Sequence, residues 1–241
     1  MMRLQLAWRG WVTVALALSL AAAVILADIQ IQNTVELVHA AAVADADEGR
    51  ASLQEIDDLV GRTLAAIELS VLAADSAGNV TLDTQTKRKL AFEVDAIAAA
   101  AEGGLAVALD RSIDLDARLD TLRVLSATPS QRLITPDVIS LQGTVAEAAN
   151  TANALLADEG TLTSDQINSM RGRLVGAKIL RAEVDERLTV VTGGLDAIRS
   201  TIRWRVHLVA AVALLSLVWF GYLGWQSAVS PPAPGESPKA D

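Results

Sequence analysis

Two long charge-free stretches constrain this chain more than any other feature in it. Residues 11–27 (WVTVALALSLAAAVILA) hold no Asp, Glu, Lys or Arg. Residues 206–229 form a second stretch, with His207 at its start and Gln226 near its end as its polar interruptions. Each reaches the length of about 17–25 residues with which an α-helix crosses hydrocarbon. In lipid a backbone must satisfy its own hydrogen bonds, and a helix does so within one segment. The aromatic residues mark the ends of these stretches. Trp8 and Trp11 flank the first, Trp204 precedes the second, and Trp219, Phe220, Tyr222 and Trp225 close it. Amphipathic rings collect at headgroup level, so Trp8, Trp11, Trp204, Trp219 and Trp225 are expected at the membrane interface. Of the remaining aromatics, Phe92 alone lies away from the two ends.

A cleaved signal peptide is the competing reading of the first stretch, with Arg3 and Arg9 as its basic n-region. The apolar run is longer than the usual ~7–15 residues, and Ile25-Leu26-Ala27 is a weak small-x-small site, so an uncleaved anchor is expected. Arg3 and Arg9 before the stretch, with Asp28 and Glu36 after it, place the N-terminus inside. Arg199, Arg203 and Arg205 argue the other way, but long loops translocate largely regardless of charge and the first helix usually dominates. The expectation is a two-pass protein of a bacterial inner membrane, N-in and C-in. Residues 1–10 are then a cytoplasmic tail, 11–27 the first span and 28–205 a periplasmic domain. Residues 206–229 form the second span and 230–241 (SPPAPGESPKAD) a disordered cytoplasmic tail.

Composition narrows the function classes. The chain has no cysteine, which excludes disulfides, thiolate metal sites and a Cys nucleophile. Its 2 His and 1 Tyr leave little for acid–base chemistry near neutral pH. The net charge of −9 speaks against nucleic acid, which needs a clustered positive face. No converging carboxylates, metal set or activated nucleophile stand at useful spacing, so neither an enzyme nor a cofactor is expected.

The middle of the chain reads as all-α. No proline precedes Pro129, and 43 residues are alanine. Asp75-Ser76-Ala77-Gly78-Asn79 and the stretch from Ser126 to Thr135 are breaks. Thr135-Pro136 offers an N-cap ahead of a proline at the first helical position. Gly160 stops the next helix, and Thr163 with Gln166 reads as a capping box. Helices are thus expected over about 8–74, 83–126, 136–159 and 164–229, with boundaries uncertain by 2–4 residues. At 1.5 Å per residue these lengths close as an antiparallel up-down-up-down four-helix bundle, with the first and last helices continuing into the spans.

The last helix carries the clearest pattern. Ile167, Met170, Leu174, Ala177, Arg181, Val184, Leu188, Val191, Leu195, Ile198 and Ile202 alternate in steps of three and four, the seam of a coiled coil. Leu53, Ile56, Val60, Leu64, Ile67 and Val71 repeat it in the first helix, and Leu115, Leu119 and Leu122 in the second. Residues 28–203 hold 27 acidic and 16 basic side chains, mostly between the apolar positions, as a solvated surface requires.

Several residues stand out from this background. Arg181 interrupts an apolar seam. It either grips an anionic ligand between helices, with Lys178 and Arg171 widening the positive patch, or pairs with an acidic neighbour, or reaches out to solvent. Gly103-Gly104 and Gly193-Gly194 interrupt helices, either as joints or as points of close packing, which Gly172-x-x-x-Gly176 also suggests. Asp45-Ala46-Asp47-Glu48-Gly49 superficially has the look of a calcium loop, but its glycine falls one place short. His39 and His207 lack companion metal ligands. Ala15, Ser19 and Ala23 form a small-xxx-small stripe suited to helix contact in lipid.

An anchor, a long helical bundle and a second span together resemble the four-helix-bundle sensor module of methyl-accepting chemotaxis receptors and related sensor kinases. Leu217-Val218-Trp219-Phe220-Gly221-Tyr222 is similar to the aromatic anchor at the inner end of their signalling helix, and Pro231 stands about where a proline opens their HAMP relay. No basic pair follows Trp219, and neither HAMP helices nor a methyl-accepting, kinase or cyclase segment follows Pro231. The resemblance implies a periplasmic sensory module that binds a ligand or partner between its helices. Arg181 is the position that carries over to the family's ligand-binding arginines. The module would relay through its last helix to a separate protein, as a homodimer or in a hetero-complex with a membrane or signalling protein. A structural adaptor that scaffolds a membrane complex by coiled-coil pairing is the alternative, since it requires neither ligand nor output domain.

Overall fold

The computed structural model describes residues 2–71, 79–80, 82, 84–126, 133–157 and 162–229. The expected C-terminal tail, the Asp75–Gly78 break, Pro129 and Gly160 lie outside these residues. The protein is all-α. Among the described residues five helices run in chain order with two very short strands: α1 (Met2–Val71), β1 (Asn79–Val80), α2 (Thr84–Glu102), α3 (Gly104–Ser126), α4 (Thr135–Ala157), β2 (Leu162–Thr163) and α5 (Ser164–Val229). The strands pair antiparallel, Asn79 with Thr163 and Val80 with Leu162, so the connections on either side of them are joined by backbone. This ladder has no period-2 signal in the sequence.

Gly103 divides one expected helix into two. The hydrogen-bond ladder nonetheless passes through it: Gly103 N donates to Ala99 O at 2.8 Å, and Val107 N donates to Gly103 O at 3.1 Å. The described residues fall into two compact units, one within Val38–Arg199 and the other within Met1–Leu37 and Ser200–Asp241.

In Val38–Arg199 the core is a set of aliphatic seams. Ile167, Met170, Leu174, Ala177, Val184, Leu188, Val191 and Leu195 of α5 are buried. So are Leu53, Ile56, Val60 and Ile67 of α1 and Leu115, Leu119 and Leu122 of α3. α4 adds Val138, Leu141, Val145, Ala148, Ala149 and Ala152. Burial of such side chains supplies about 1.5–3 kcal/mol each for the larger ones, which is how alanine-rich helices hold together without aromatics.

The helix starts show where sequence chemistry acts and where tertiary contacts replace it. At α5 the capping box forms as spaced: Gln166 Oε1 accepts from Thr163 N at 2.9 Å, and Gln166 N donates to Thr163 Oγ1 at 3.3 Å. At α4 Thr135 caps differently from expectation. Its hydroxyl donates to Asp116 Oδ2 at 2.7 Å, tying the helix start to α3. The Asp116 carboxylate of α3 also accepts from Ile134 N at 3.1 Å and Thr135 N at 3.0 Å. A negative charge thus meets the positive end of the α4 dipole.

In the other unit the apolar ends of α1 and α5 touch through small residues. A Cβ placed on Gly224 would lie 3.0 Å from Thr13 Cβ and 3.3 Å from Gly10 O, and one on Gly221 would lie 3.7 Å from Ala17 Cβ. Trp11 and Trp225 approach to 6.4 Å between ring centroids at 55°. The contact therefore runs through Gly10, Thr13 and Ala17. Ala15, Ser19 and Ala23 are exposed, so that stripe takes no part in this contact. Gly224→Ile should separate the pair. Ala17→Cys with Gly221→Cys places Cβ atoms within disulfide range, and Gly224→Ile is expected to slow that disulfide about tenfold, the scale of an overpacking cost of ~1–3 kcal/mol.

Candidate functional site

Charged side chains of Val38–Arg199 gather into ion pairs between helices. Asp45 of α1 is 6% exposed. Arg118 of α3 donates its Nε–H to Asp45 Oδ2, and Arg111 Nη1 lies 3.9 Å from Asp45 Oδ1. Arg111 Nη2 donates to Glu48 Oε1 at 3.3 Å. The hydrogen bond to Glu48, followed by the charge of the same carboxylate, raises the Arg111 guanidinium above its ordinary pKa. The residues with a calcium-loop look are therefore helical, and all three of their carboxylates are held by arginines, Asp47 by Arg50.

A second cluster joins α1 to α5. Arg50 Nη2 donates to Thr192 Oγ1 at 2.8 Å and to Thr189 Oγ1 at 3.3 Å. Asp47 lies 3.3 Å from Arg50 Nη1, and Asp185 lies 3.8 Å from its Nε. Farther along, Arg171 donates to Glu68 at 3.1 Å, which engages one of the cations expected to widen a positive patch. Arg173 pairs with Glu147 and Arg187 with Asp137, joining α5 to α4. Asn153 donates to Asp95 at 3.0 Å, and Gln142 donates to Ala101 O at 3.2 Å, joining α4 to α2.

Arg181 sits on the α5 seam with its side chain 20% exposed. Its Nη1 lies 4.0 Å from Asp57 Oδ2 of α1, and its Nε is buried without a hydrogen-bond partner among the described residues. The acidic neighbour is thus Asp57, at the outer limit of ion-pair distance. Lys178 is exposed and has no ion-pair partner among the described residues.

The glycine pairs have different surroundings. Gly104 has Glu55 Oε2 4.0 Å from where its Cβ would be. Gly193 and Gly194 have nothing within 4 Å, and neither do Gly172 and Gly176. Close packing inside the chain is therefore not what places glycine at these four positions. α5 also continues through Gly193-Gly194 without a break. Gly194→Ala is expected to stabilise the unit by about 0.5–1 kcal/mol through helix propensity, read as a rise in thermal midpoint by circular dichroism in detergent.

Three charged residues are buried that the sequence reading did not place in the core: Asp45, Asp116 and Arg123, at 6%, 8% and 7% exposure. Arg123 Nε has no hydrogen-bond partner among the described residues. Asp116 and Arg123 are seven residues apart within the stripe that also holds Leu115, Leu119 and Leu122. A polar residue repeating at heptad spacing inside an apolar seam was the available signal. The histidines do have neighbours. His39 Nε2 lies 3.1 Å from Asp196 Oδ1, and His207 Nδ1 lies 3.3 Å from Asp28 Oδ2. Neither makes a metal set, and no group of three or more potential ligands occurs among the described residues.

In the other unit Trp8, Trp11, Trp204, Trp219 and Trp225 are all more than half exposed. Around them the surface is continuously apolar: Leu16, Leu18, Leu26, Val209, Leu215 and Val218 are exposed as well. Two helices are long and apolar enough to cross a membrane. No family model, no curated protein and no solved structure matches the chain.

Proposed function

We propose that this is a two-pass membrane protein with an extracytoplasmic helical sensory module, which binds a ligand or partner and relays its state through the last helix to a separate protein. The observation that carries the membrane assignment is the exposed apolar surface of the described residues in Met1–Leu37 and Ser200–Asp241. A soluble monomer rarely exposes a contiguous patch of more than a few hundred Å², and here large aliphatic side chains stay exposed along both helices. The tryptophans lie at the ends of that surface, where headgroups would meet them.

The order of the cross-helix pairs supports an antiparallel up-down-up-down bundle in 28–205. Between α1 and α5 the pairs are 39 with 196, 50 with 185, 57 with 181 and 68 with 171, rising on one helix and falling on the other. Between α4 and α5 they are 137 with 187 and 147 with 173. The unbroken α5 supports the relay, because one helix belongs to both compact units.

A scaffold that pairs with other helical proteins is the second reading. It is favoured by the density of arginine–carboxylate pairs, which tie α1, α3, α4 and α5 together, and by Asp57 beside Arg181. The two readings part on one measurement. In the cysteine-free chain, His39→Cys with Asp196→Cys reports the register of α1 against α5. A sensor changes the rate of that disulfide when cells are shifted between growth media or envelope stresses. A rate constant under every condition, together with a stable co-purifying complex that survives Arg181→Ala, would leave the scaffold.

A further inference from the structure

We infer that the outward face of α5 between Gly172 and Ala197 is the contact for a second copy of this chain, the two helices running parallel. The parallel direction rests on the membrane reading above, since two copies anchored in one bilayer point the same way. The buried seam of α5 is occupied by its own chain, but the exposed side carries a narrow apolar stripe of its own, which Glu186 interrupts. Gly172, Val175, Ile179, Val190, Gly193 and Ala197 are all exposed and follow one another at helical spacing. Ile179 and Val190 are 63% and 65% exposed. A solvated helix face carries charges at such positions. The glycines add a separate argument. Among the described residues no side chain and no neighbouring helix comes within 4 Å of a Cβ position on Gly172 or Gly193, so both leave room that another backbone can enter.

Charge selects the second copy as occupant. In a parallel pair with Ile179 in the seam, the residue before it lies beside the residue four after it on the other helix. Those residues are Lys178 and Glu183, and two-fold symmetry makes the pair twice. Lys178 has no ion-pair partner in its own chain among the described residues, while Glu183 is shared with Arg187 at 3.2 Å. The outward faces of α1 and α3 fit a second copy poorly. Asp47 and Asp58 on α1, and Asp110 and Asp120 on α3, are exposed and would meet their own charge. One residue opposes the α5 pairing: Glu186 lies in the stripe and would face its copy. Glu186→Leu is therefore expected to tighten the dimer.

The test uses the full-length chain in phosphatidylethanolamine–phosphatidylglycerol vesicles. Each variant carries one cysteine: Ile179→Cys or Val190→Cys on the stripe, and Phe92→Cys on α2, 73% exposed, as control. On oxidation, disulfide dimers are expected about tenfold faster at the two stripe positions than at the control, because pairing raises the effective concentration there. In the Ile179→Cys background, Lys178→Glu should slow the disulfide about threefold, the scale of two exposed ion pairs. Adding Glu183→Lys should restore it. Equal rates at Ile179→Cys and Phe92→Cys, or no recovery in the double charge reversal, overturn the inference. The same vesicles are washed at alkaline pH. A chain that stays in the bilayer without crosslinking at Ile179 leaves the membrane reading standing and removes the interface. A chain released by alkali overturns both.

Discussion

Asp116→Ala is expected to destabilise Val38–Arg199 by about 3 kcal/mol, the upper range for a buried, charge-assisted acceptor. The carboxylate accepts from Ile134 N, Thr135 N and Thr135 Oγ1 while sitting 8% exposed. Alanine leaves those donors at the first turn of α4 without partners, and the positive end of the helix dipole without its charge. Asp116→Asn keeps the shape and one acceptor oxygen and should lose about half as much. Asp120→Ala, an exposed aspartate four residues on, should stay within about 0.5 kcal/mol of the parent. Denaturation of the full chain in detergent, followed by circular dichroism, separates the three. Equal midpoints for Asp116→Ala and Asp120→Ala would show that α4 is capped by something else.

Asp45→Ala is expected to cost about 2–3 kcal/mol, because it strands the Arg118 guanidinium and weakens the hold on Arg111. Arg118 is about a third exposed, and solvent reaching it keeps the cost below that of a fully buried pair. Replacing both partners, Asp45→Leu with Arg118→Leu, should recover most of the loss, since no charge is then left behind. The same denaturation experiment, arranged as a double-mutant cycle, should give a coupling of about 1–2 kcal/mol between the two positions. Additive losses would mean that Asp45 acts through packing.

Much of this architecture was legible in the residues. The α5 seam was readable because 3.6-residue periodicity places Leu174, Val184 and Leu195 on one stripe, and a buried stripe is what a helix needs to fold against neighbours. The Thr163–Gln166 capping box is local chemistry and formed as spaced. Thr135 shows the limit. Its sequence context supports an N-cap, but Asp116, distant along the chain, supplies a better acceptor, and only the packed structure brings the two together. The contact of the apolar helix ends was not legible for a similar reason. Alanine, serine and glycine are so frequent there that spacing alone did not distinguish Ala15-Ser19-Ala23 from Ala17 with Gly221 and Gly224. Arg181 was legible as an anomaly in a seam, and Asp57 as its neighbour was not, because i,i+3 and i,i+4 rules reach only along one helix.

Accessibility mapping tests the central claim most directly, because the chain holds no cysteine of its own. Ser76→Cys lies in the break between the first two helical segments and Ser237→Cys in the C-terminal tail. In intact cells a membrane-impermeant thiol reagent should label Ser76→Cys and leave Ser237→Cys untouched until the inner membrane is opened. Labelling of Ser237→Cys from outside, with Ser76→Cys protected, would contradict the extracytoplasmic placement of the helical module and the sensory function proposed for it.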